Sequence, residues 1–215
     1  MMKRVMCLFL IASLPFLVLL PSQVFSEGAY ETTGAGPAVD TALGSELIIA
    51  DFDTGDKPNN IGGDFGTWDK DPNDETQVSQ MSFEAEDALG DELGYSIRLD
   101  YDVDSPNPAY NGFWMKLQNF DASAYNTVNF YVRGDETNGF TKRLKIELKD
   151  STNQPSPFII TGLTDEWQKF SIPFEKFRRV KFWDALNEFV LVFDDINSNP
   201  KTGTIYLDQV TFSSE

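Results

Sequence analysis

The stretch ADFDTGDKPNNIGGDFGTW, Ala50 to Trp68, sets four aspartates and four glycines among apolar residues. Two chemistries use such a composition: oxygen ligation of a hard cation such as calcium, and a glycine-rich backbone cradle for phosphate. An EF-hand loop begun at Asp51 would need an oxygen ligand at its fifth position, glycine at its sixth and glutamate at its twelfth. Those positions hold Gly55, Asp56 and Gly62, so that loop is excluded. Gly62, Gly63 and Gly66 match neither the dinucleotide fingerprint nor the P-loop, and no Lys-Ser/Thr pair follows them. What survives is a strand, LIIADF, with Phe52 pointing inward and Asp51 and Asp53 on the opposite face. A turn at GDKPNN and a glycine-rich crossing follow it.

Composition narrows the remaining chemistry. There is no histidine and a single cysteine, Cys7. Ser-His-Asp and Cys-His catalysis are excluded, as are the usual zinc sites, which take His or Cys ligands. Carboxylates, Tyr, Lys or an oxygen-ligated ion are what is left. Two carboxylates about 5 to 9.5 Å apart suffice for a glycosidase, and Glu147 and Asp194 are one candidate pair among many acids.

The first residues assign a compartment. Lys3 and Arg4 precede an apolar run from Val5 to Leu20, broken only by Ser13 and Pro15, and QVFS follows. Val24 and Ser26 then occupy the small-residue positions of a cleavage site, which predicts a secretory signal peptide over residues 1–26. Cleavage would remove Cys7, leaving an exported, soluble chain with neither disulfide nor thiol. It would also remove Lys3 and Arg4, making the net charge of −17 two units more negative. So acidic a chain is repelled by nucleic acid and by anionic membranes, so neither nucleic-acid binding nor membrane insertion after cleavage is expected. Residues 27–46, rich in Gly, Ala and Thr, read as a flexible linker, and 47–215 as one domain.

Within that domain short apolar runs alternate with turn clusters, and no 3.6-residue period is sustained. Strands are predicted at LIIADF, YSIRLDYD, GFWMKLQ, TVNFYVRG, RLKIELKD, PFIITGL, WQKFSIPF, EFVLVFD and GTIYLDQVTF. Gly, Pro, Asn and Asp clusters separate them. Their number and spacing predict an all-β fold, an antiparallel β-sandwich. KFRRVKFWDALN is the one candidate for a short helical turn.

Alternation assigns faces. In RLKIELKD, Leu144, Ile146 and Leu148 point inward, while Lys145, Glu147 and Lys149 face water. In YNGFWMKL, Tyr110 and Trp114 share one face with Gly112 between them; Phe113, Met115 and Leu117 take the other. That glycine leaves room for a flat ligand or for a neighbouring backbone. EFVLVFD is apolar on both faces, with Phe189, Leu191 and Phe193 on one and Val190 and Val192 on the other. Such a strand is covered on both sides or offers one to something outside. Trp114 and Trp167 are assigned to the core.

Four segments resemble family 11-type carbohydrate-binding modules: ADFDTGDKPNNIGGDFGTW their DDFE-like opening strand, AYNGFWMKL their Tyr- and Gly-containing strand, EWQKFSIPFEKFRRVKFW their I-P-F-x-x-F-R-R segment, and TIYLDQVTF their closing strand. The related galactose-binding-like jelly roll also occurs in the complex I intermediate-associated proteins. The resemblance implies a noncatalytic jelly roll whose concave face binds β-glucan chains, with a structural calcium ion. Carried over by position, the ligand-facing residues would be Phe65, Tyr110, Arg178, Arg179, Trp183, Asn187 and Phe193. Two positions depart from the pattern: Phe182 replaces a carboxylate, and Phe193 stands where tyrosine is usual. Trp183 either stacks on sugar or packs in the protein, and Arg178 and Arg179 are either ligand contacts or solvated charges. The opening and closing strands run side by side in that fold, so Asp53 and Asp208 would hold the calcium with loop carbonyls.

The expected function is therefore extracellular polysaccharide binding by a monomeric protein, secreted, periplasmic or on the cell surface. Alternatives on the same fold are a surface assembly or protein-binding factor and a carboxylate-based glycosidase or lyase.

Overall fold

The computed structural model describes residues 45–86, 88–90 and 94–214. The expected signal peptide, and all of the expected linker except its last two residues, lie outside these. Eleven strands run through the described residues: β1 (Glu46–Ala50), β2 (Phe65–Asp69), β3 (Val78–Glu84), β4 (Ser96–Asp102), β5 (Tyr110–Phe120), β6 (Thr127–Gly134), β7 (Arg143–Asp150), β8 (Ser156–Thr161), β9 (Gln168–Pro173), β10 (Leu186–Asp194) and β11 (Thr202–Ser213). All nine expected strands are present, and β2 and β3 are additional. FGTWD (β2) is short and glycine-containing, while VSQMSFE (β3) is largely polar, so neither carries a strong apolar signal. Helix among the described residues is confined to one 3-10 turn, Phe174–Lys176, at the edge of the segment where a helical turn was expected.

The strands form two antiparallel sheets. One runs β3-β4-β11-β6-β9, with β1 also paired to β11; the other runs β2-β5-β10-β7-β8. Their facing surfaces supply the core by strict alternation. Ile97 and Leu99 of β4, Val128, Phe130 and Val132 of β6, and Ile205 and Leu207 of β11 meet Phe113, Met115 and Leu117 of β5, Ile146 and Leu148 of β7, and Phe189, Leu191 and Phe193 of β10. All of these are fully buried. A bulge in β11 between Asp208 and Thr211 adds a residue relative to β6. The inward parity therefore shifts from Leu207 to Val210 and Phe212, and Gln209 takes a φ of +46° at the bulge.

The aspartate- and glycine-rich stretch packs as part of this sandwich. Phe52 is buried and meets Phe65 edge-on at 5.5 Å. Asn59 organises the loop: its Oδ1 accepts from the backbone N–H of Gly63 at 2.6 Å and of Ile61 at 3.2 Å, and its Nδ2 donates to the carbonyl of Lys116 at 3.0 Å. Gly63 is demanded by close approach, since a Cβ there would lie 2.0 Å from the Lys116 carbonyl oxygen. Gly63 thus brings the loop and β5 backbones together.

Candidate ligand-binding face

The outer face of the five-stranded sheet carries an unusual set of residues. Cross-strand register aligns Gly66 of β2 with Trp114 of β5, Val190 of β10, Glu147 of β7 and Pro157 of β8. The adjacent row aligns Trp68, Gly112, Val192, Lys145 and Ile159. Residues opposite one another in a ladder share a face, so Trp68, Tyr110 and Trp114 stand together at one side of it. Trp68 meets Tyr110 at a centroid distance of 5.7 Å.

Two glycines shape this aromatic set. A Cβ on Gly66 would press on the Trp114 ring at 3.3 Å, so the absence of a side chain lets the indole lie across β2. The indole Nε1–H donates to the Thr67 carbonyl at 3.3 Å, fixing the ring's orientation. Gly112 serves the neighbouring backbone: a Cβ there would come within 1.9 Å of the Leu191 carbonyl oxygen. Of the two uses open to Gly112, close strand approach is the one realised.

Beyond the aromatic residues the face becomes ionic. Glu188 accepts from Lys116 at 2.7 Å and from Lys149 at 2.6 Å, one lysine on each of its oxygens. Burial disfavours the Glu188 carboxylate, but the two lysine hydrogen bonds outweigh it and hold its pKa below the ordinary value. Asp194 behaves alike: burial opposes ionisation, while Lys145 at 2.6 Å and Asn197 prevail. Burial pushes Glu147 the other way, upward, against the pull of Lys149 and Lys145. Trp68, Trp114, Lys116, Glu147, Lys149 and Glu188, with Asn153, Pro155 and Val190, line a groove of about 480 Å³. Flat apolar rings beside fixed polar groups are what a sugar requires: C–H faces stack and hydroxyls hydrogen-bond.

The expected site residues are dispersed. Tyr110 belongs to this face and is 42% exposed. Phe193 does not: it pairs with Asn111 whereas Tyr110 pairs with Asp194, so the two lie on opposite sides of the sheet. Phe193 is fully buried and stacks on Tyr101 at 4.1 Å. Phe65 is likewise fully buried, one residue out of phase with the outward-facing Gly66 and Trp68. Neither can touch a ligand. Trp183 stacks on Phe174 at 4.3 Å and 5°, beside a separate depression with Tyr125 and Asn126. It therefore does not line the groove of Trp68 and Trp114.

Arg178 and Arg179 line a neighbouring depression with Ser156 and Phe158. The Arg179 guanidinium reaches the Pro155 carbonyl at 3.5 Å, which brings it to the rim of the groove of Trp68 and Trp114. Asn187 is the extra residue of a β10 bulge and donates to Asn153 Oδ1 at the same rim.

Two tryptophans assigned to the core are only half-buried. Trp114 faces outward as described, and Trp167 has the Arg133 guanidinium 5.6 Å from its ring. Trp68 was missed as a site residue. The available signal was its alternation with Phe65 across Gly66, together with the Tyr110–Trp114 face. Of the glycosidase pair, Asp194 is engaged by both Lys145 and Asn197.

Asp53 and Asp208 line one cavity of about 350 Å³ together with Asp51, Leu89, Gly90 and Gln209. Asp208 is almost fully buried, and its two oxygens accept from the backbone N–H groups of Leu89 and Gln209. Burial first, then the charges of Asp53 and Asp51, push its pKa up to about 6. Among the described residues no three acidic side chains converge as a metal-holding group. Two carboxylates could contribute there, with backbone carbonyls supplying the remaining oxygens.

A sequence model of the family Carbohydrate binding domain 30 matches residues 59–214. No curated protein matches the chain. Among solved structures, the family 11 carbohydrate-binding module of the cellulosomal cellulase Lic26A-Cel5E of Clostridium thermocellum is similar at a TM-score of 0.57 and 16% identity, covering 81% of this chain and 97% of that one. The family 11 module from Clostridium thermocellum in complex with a β-1,3-1,4-mixed-linked tetrasaccharide gives 0.56 and 17%, covering 81% and 98%. An exo-β-agarase gives 0.59 and 11%, covering 78% of this chain and 25% of its own. At these identities the likeness is one of fold.

Proposed function

The chain belongs to the Carbohydrate binding domain 30 family, and we propose that it binds a β-glucan-type polysaccharide on the outer face of the five-stranded sheet, without catalysing its cleavage. The observation that carries this reading is the group Trp68, Tyr110 and Trp114, partly exposed over a valine floor and bordered by fixed polar groups. Arg179, Asn153 and Asn187 at the rim supply further hydrogen-bonding capacity. The fold likeness to a module seen with a mixed-linked tetrasaccharide supports the ligand class. Export through the leader at residues 1–26 would place the protein outside the cytoplasm, where it works as a monomer on polysaccharide rather than on nucleic acid or membrane.

The test is affinity electrophoresis in barley β-glucan, hydroxyethyl cellulose and xylan, combined with an assay for new reducing ends. Retention by a β-glucan without product is expected. Product release would make the protein an enzyme, and absence of retention by every polymer would reject the reading.

A calcium ion at Asp53 and Asp208 is a second part of the proposal. A cation there would relieve the repulsion that Asp51 and Asp53 exert on Asp208, and binding only the folded state would stabilise it by mass action. EDTA should then lower the melting temperature and added calcium restore it. No response to either removes the ion from the proposal.

A further inference from the structure

Glu147 occupies a singular position in the groove. Its cross-strand neighbours are Val190 on β10 and Pro157 on β8, whose side chains have no hydrogen to donate. Lys145 and Lys149, which flank it along β7, are engaged by Asp194 and Glu188 at 2.6 Å each. Lys116, across the groove on β5, is held by the other oxygen of Glu188 at 2.7 Å. Arg179 at the rim directs its guanidinium toward the Pro155 carbonyl. Among the described residues, Glu147 is the charged side chain lining the groove that has neither an ion pair nor a hydrogen bond.

A half-buried carboxylate without donors is a cost to the fold, because part of its hydration is lost and nothing in the protein replaces it. An ionised carboxylate is also an acceptor only, with two oxygens able to take hydrogen bonds from adjacent donors. Glu147 and Trp114 stand on either side of Val190 in one cross-strand row, two strand spacings or about 10 Å apart at the backbone. The indole leans toward β2 and Glu147 stands on β7, and both line the same groove, so a sugar chain lying across the strands meets one after the other.

We propose that Glu147 is the hydroxyl anchor of the groove: its carboxylate accepts hydrogen bonds from neighbouring hydroxyls of a neutral glycan chain that also stacks on Trp114, and it turns away glycans that present carboxylate or sulfate at that point. This rests on the polysaccharide-binding reading above and makes it more specific. An acidic substituent would set acceptor against acceptor and like charge against like, and the chain's overall charge of −17 acts in the same sense.

Hydroxyethyl cellulose and carboxymethyl cellulose share a backbone and differ in charge, so they isolate the effect. At fixed salt the wild-type protein should bind the neutral polymer at least about tenfold more tightly. Replacing a charged acceptor by an amide, Glu147→Gln, should weaken neutral-polymer binding about tenfold and narrow the preference between the two polymers. Glu147→Asp, which withdraws the carboxylate by one methylene, should weaken binding while keeping the preference. Thermal melts of all forms establish that they are folded. If Glu147→Gln keeps both affinity and preference while Trp114→Ala loses binding, Glu147 is not the anchor and the polysaccharide-binding reading stands. If the wild type is retained by neither these polymers nor barley β-glucan, both readings fall.

Discussion

The two faces of the five-stranded sheet use the same strands, and both carry large aromatic residues, to opposite ends. On the inner face Phe113, Phe189 and Phe193 are fully buried, and Phe193 stacks on Tyr101 of the other sheet at 4.1 Å. On the outer face Trp68 and Trp114 remain half-buried and Tyr110 is 42% exposed. What separates them is what lies above: a second sheet in one case, and in the other only the chains of neighbouring residues. A buried valine on the outer face, such as Val190 at 2% exposure, is covered by the aromatic and charged side chains beside it. An apolar strand can thus have two apolar faces and only one core.

The sharpest way to break this comparison is to truncate one aromatic on each face. Phe193→Ala should cost about 3–5 kcal/mol of folding stability, read as a large fall in melting temperature, with polysaccharide retention preserved wherever the variant is folded. Retention lost with an intact melt would place Phe193 back at the ligand. Trp114→Ala should do the reverse, costing about 2 kcal/mol or more in binding, roughly thirtyfold in affinity, with little change in melting. Trp183→Ala tests the third aromatic region. Because Trp183 stacks on Phe174 and packs against the core, it should lose about 2 kcal/mol of stability and keep its affinity in electrophoresis.

Smaller effects come from the carboxylates. Asp150 is buried beneath the segment leading to β10. Burial works against its ionisation, but the hydroxyl of Thr152 and the backbone N–H groups of Lys181, Thr152 and Phe182 prevail and hold its pKa at about 2. A lowered folded value means that this stabilisation is present above the unfolded value of 3.8 and is lost as pH falls through about 2. Asp150→Asn should therefore be less stable at pH 7 by about 1–3 kcal/mol, and urea melts of the two forms should converge as the pH is lowered. Glu147 has the opposite sign. Burial raises its folded value, so its contribution is greatest below its ordinary value of 4.5 and is lost as pH rises through the folded value. Glu147→Gln should gain stability relative to wild type as the pH is raised from 4.5, the smallest change of the set. Parallel stability curves would show that the carboxylate is already solvated.

Much of the architecture was legible from alternation alone. RLKIELKD, EFVLVFD and YNGFWMKL each divide their residues between two faces as the sandwich does. β2 and β3 were missed because FGTWD and VSQMSFE have too few apolar residues to stand out, and they are held by pairing to β5 and β4. Of the site, Tyr110 was placed on the aromatic face, whereas Phe65, Phe193 and Trp183 were not where family position suggested. Trp114 was assigned to the core although its own strand pattern set it opposite Phe113 and Met115.

By itself the sequence determined the all-β class, the division of each strand into two faces, the absence of histidine chemistry, and the failure of the aspartate-glycine stretch as an EF-hand or phosphate loop. These are properties of residue identity and of a side-chain period of two. Only the tertiary structure decided which face of each strand the second sheet covers, that Trp68 stands beside Tyr110, that Gly112 yields to the Leu191 carbonyl, and that Glu147 is left without a donor. Those facts depend on cross-strand register and on which strands become neighbours, and residues far apart in the chain acquire such relations only when the sheets close.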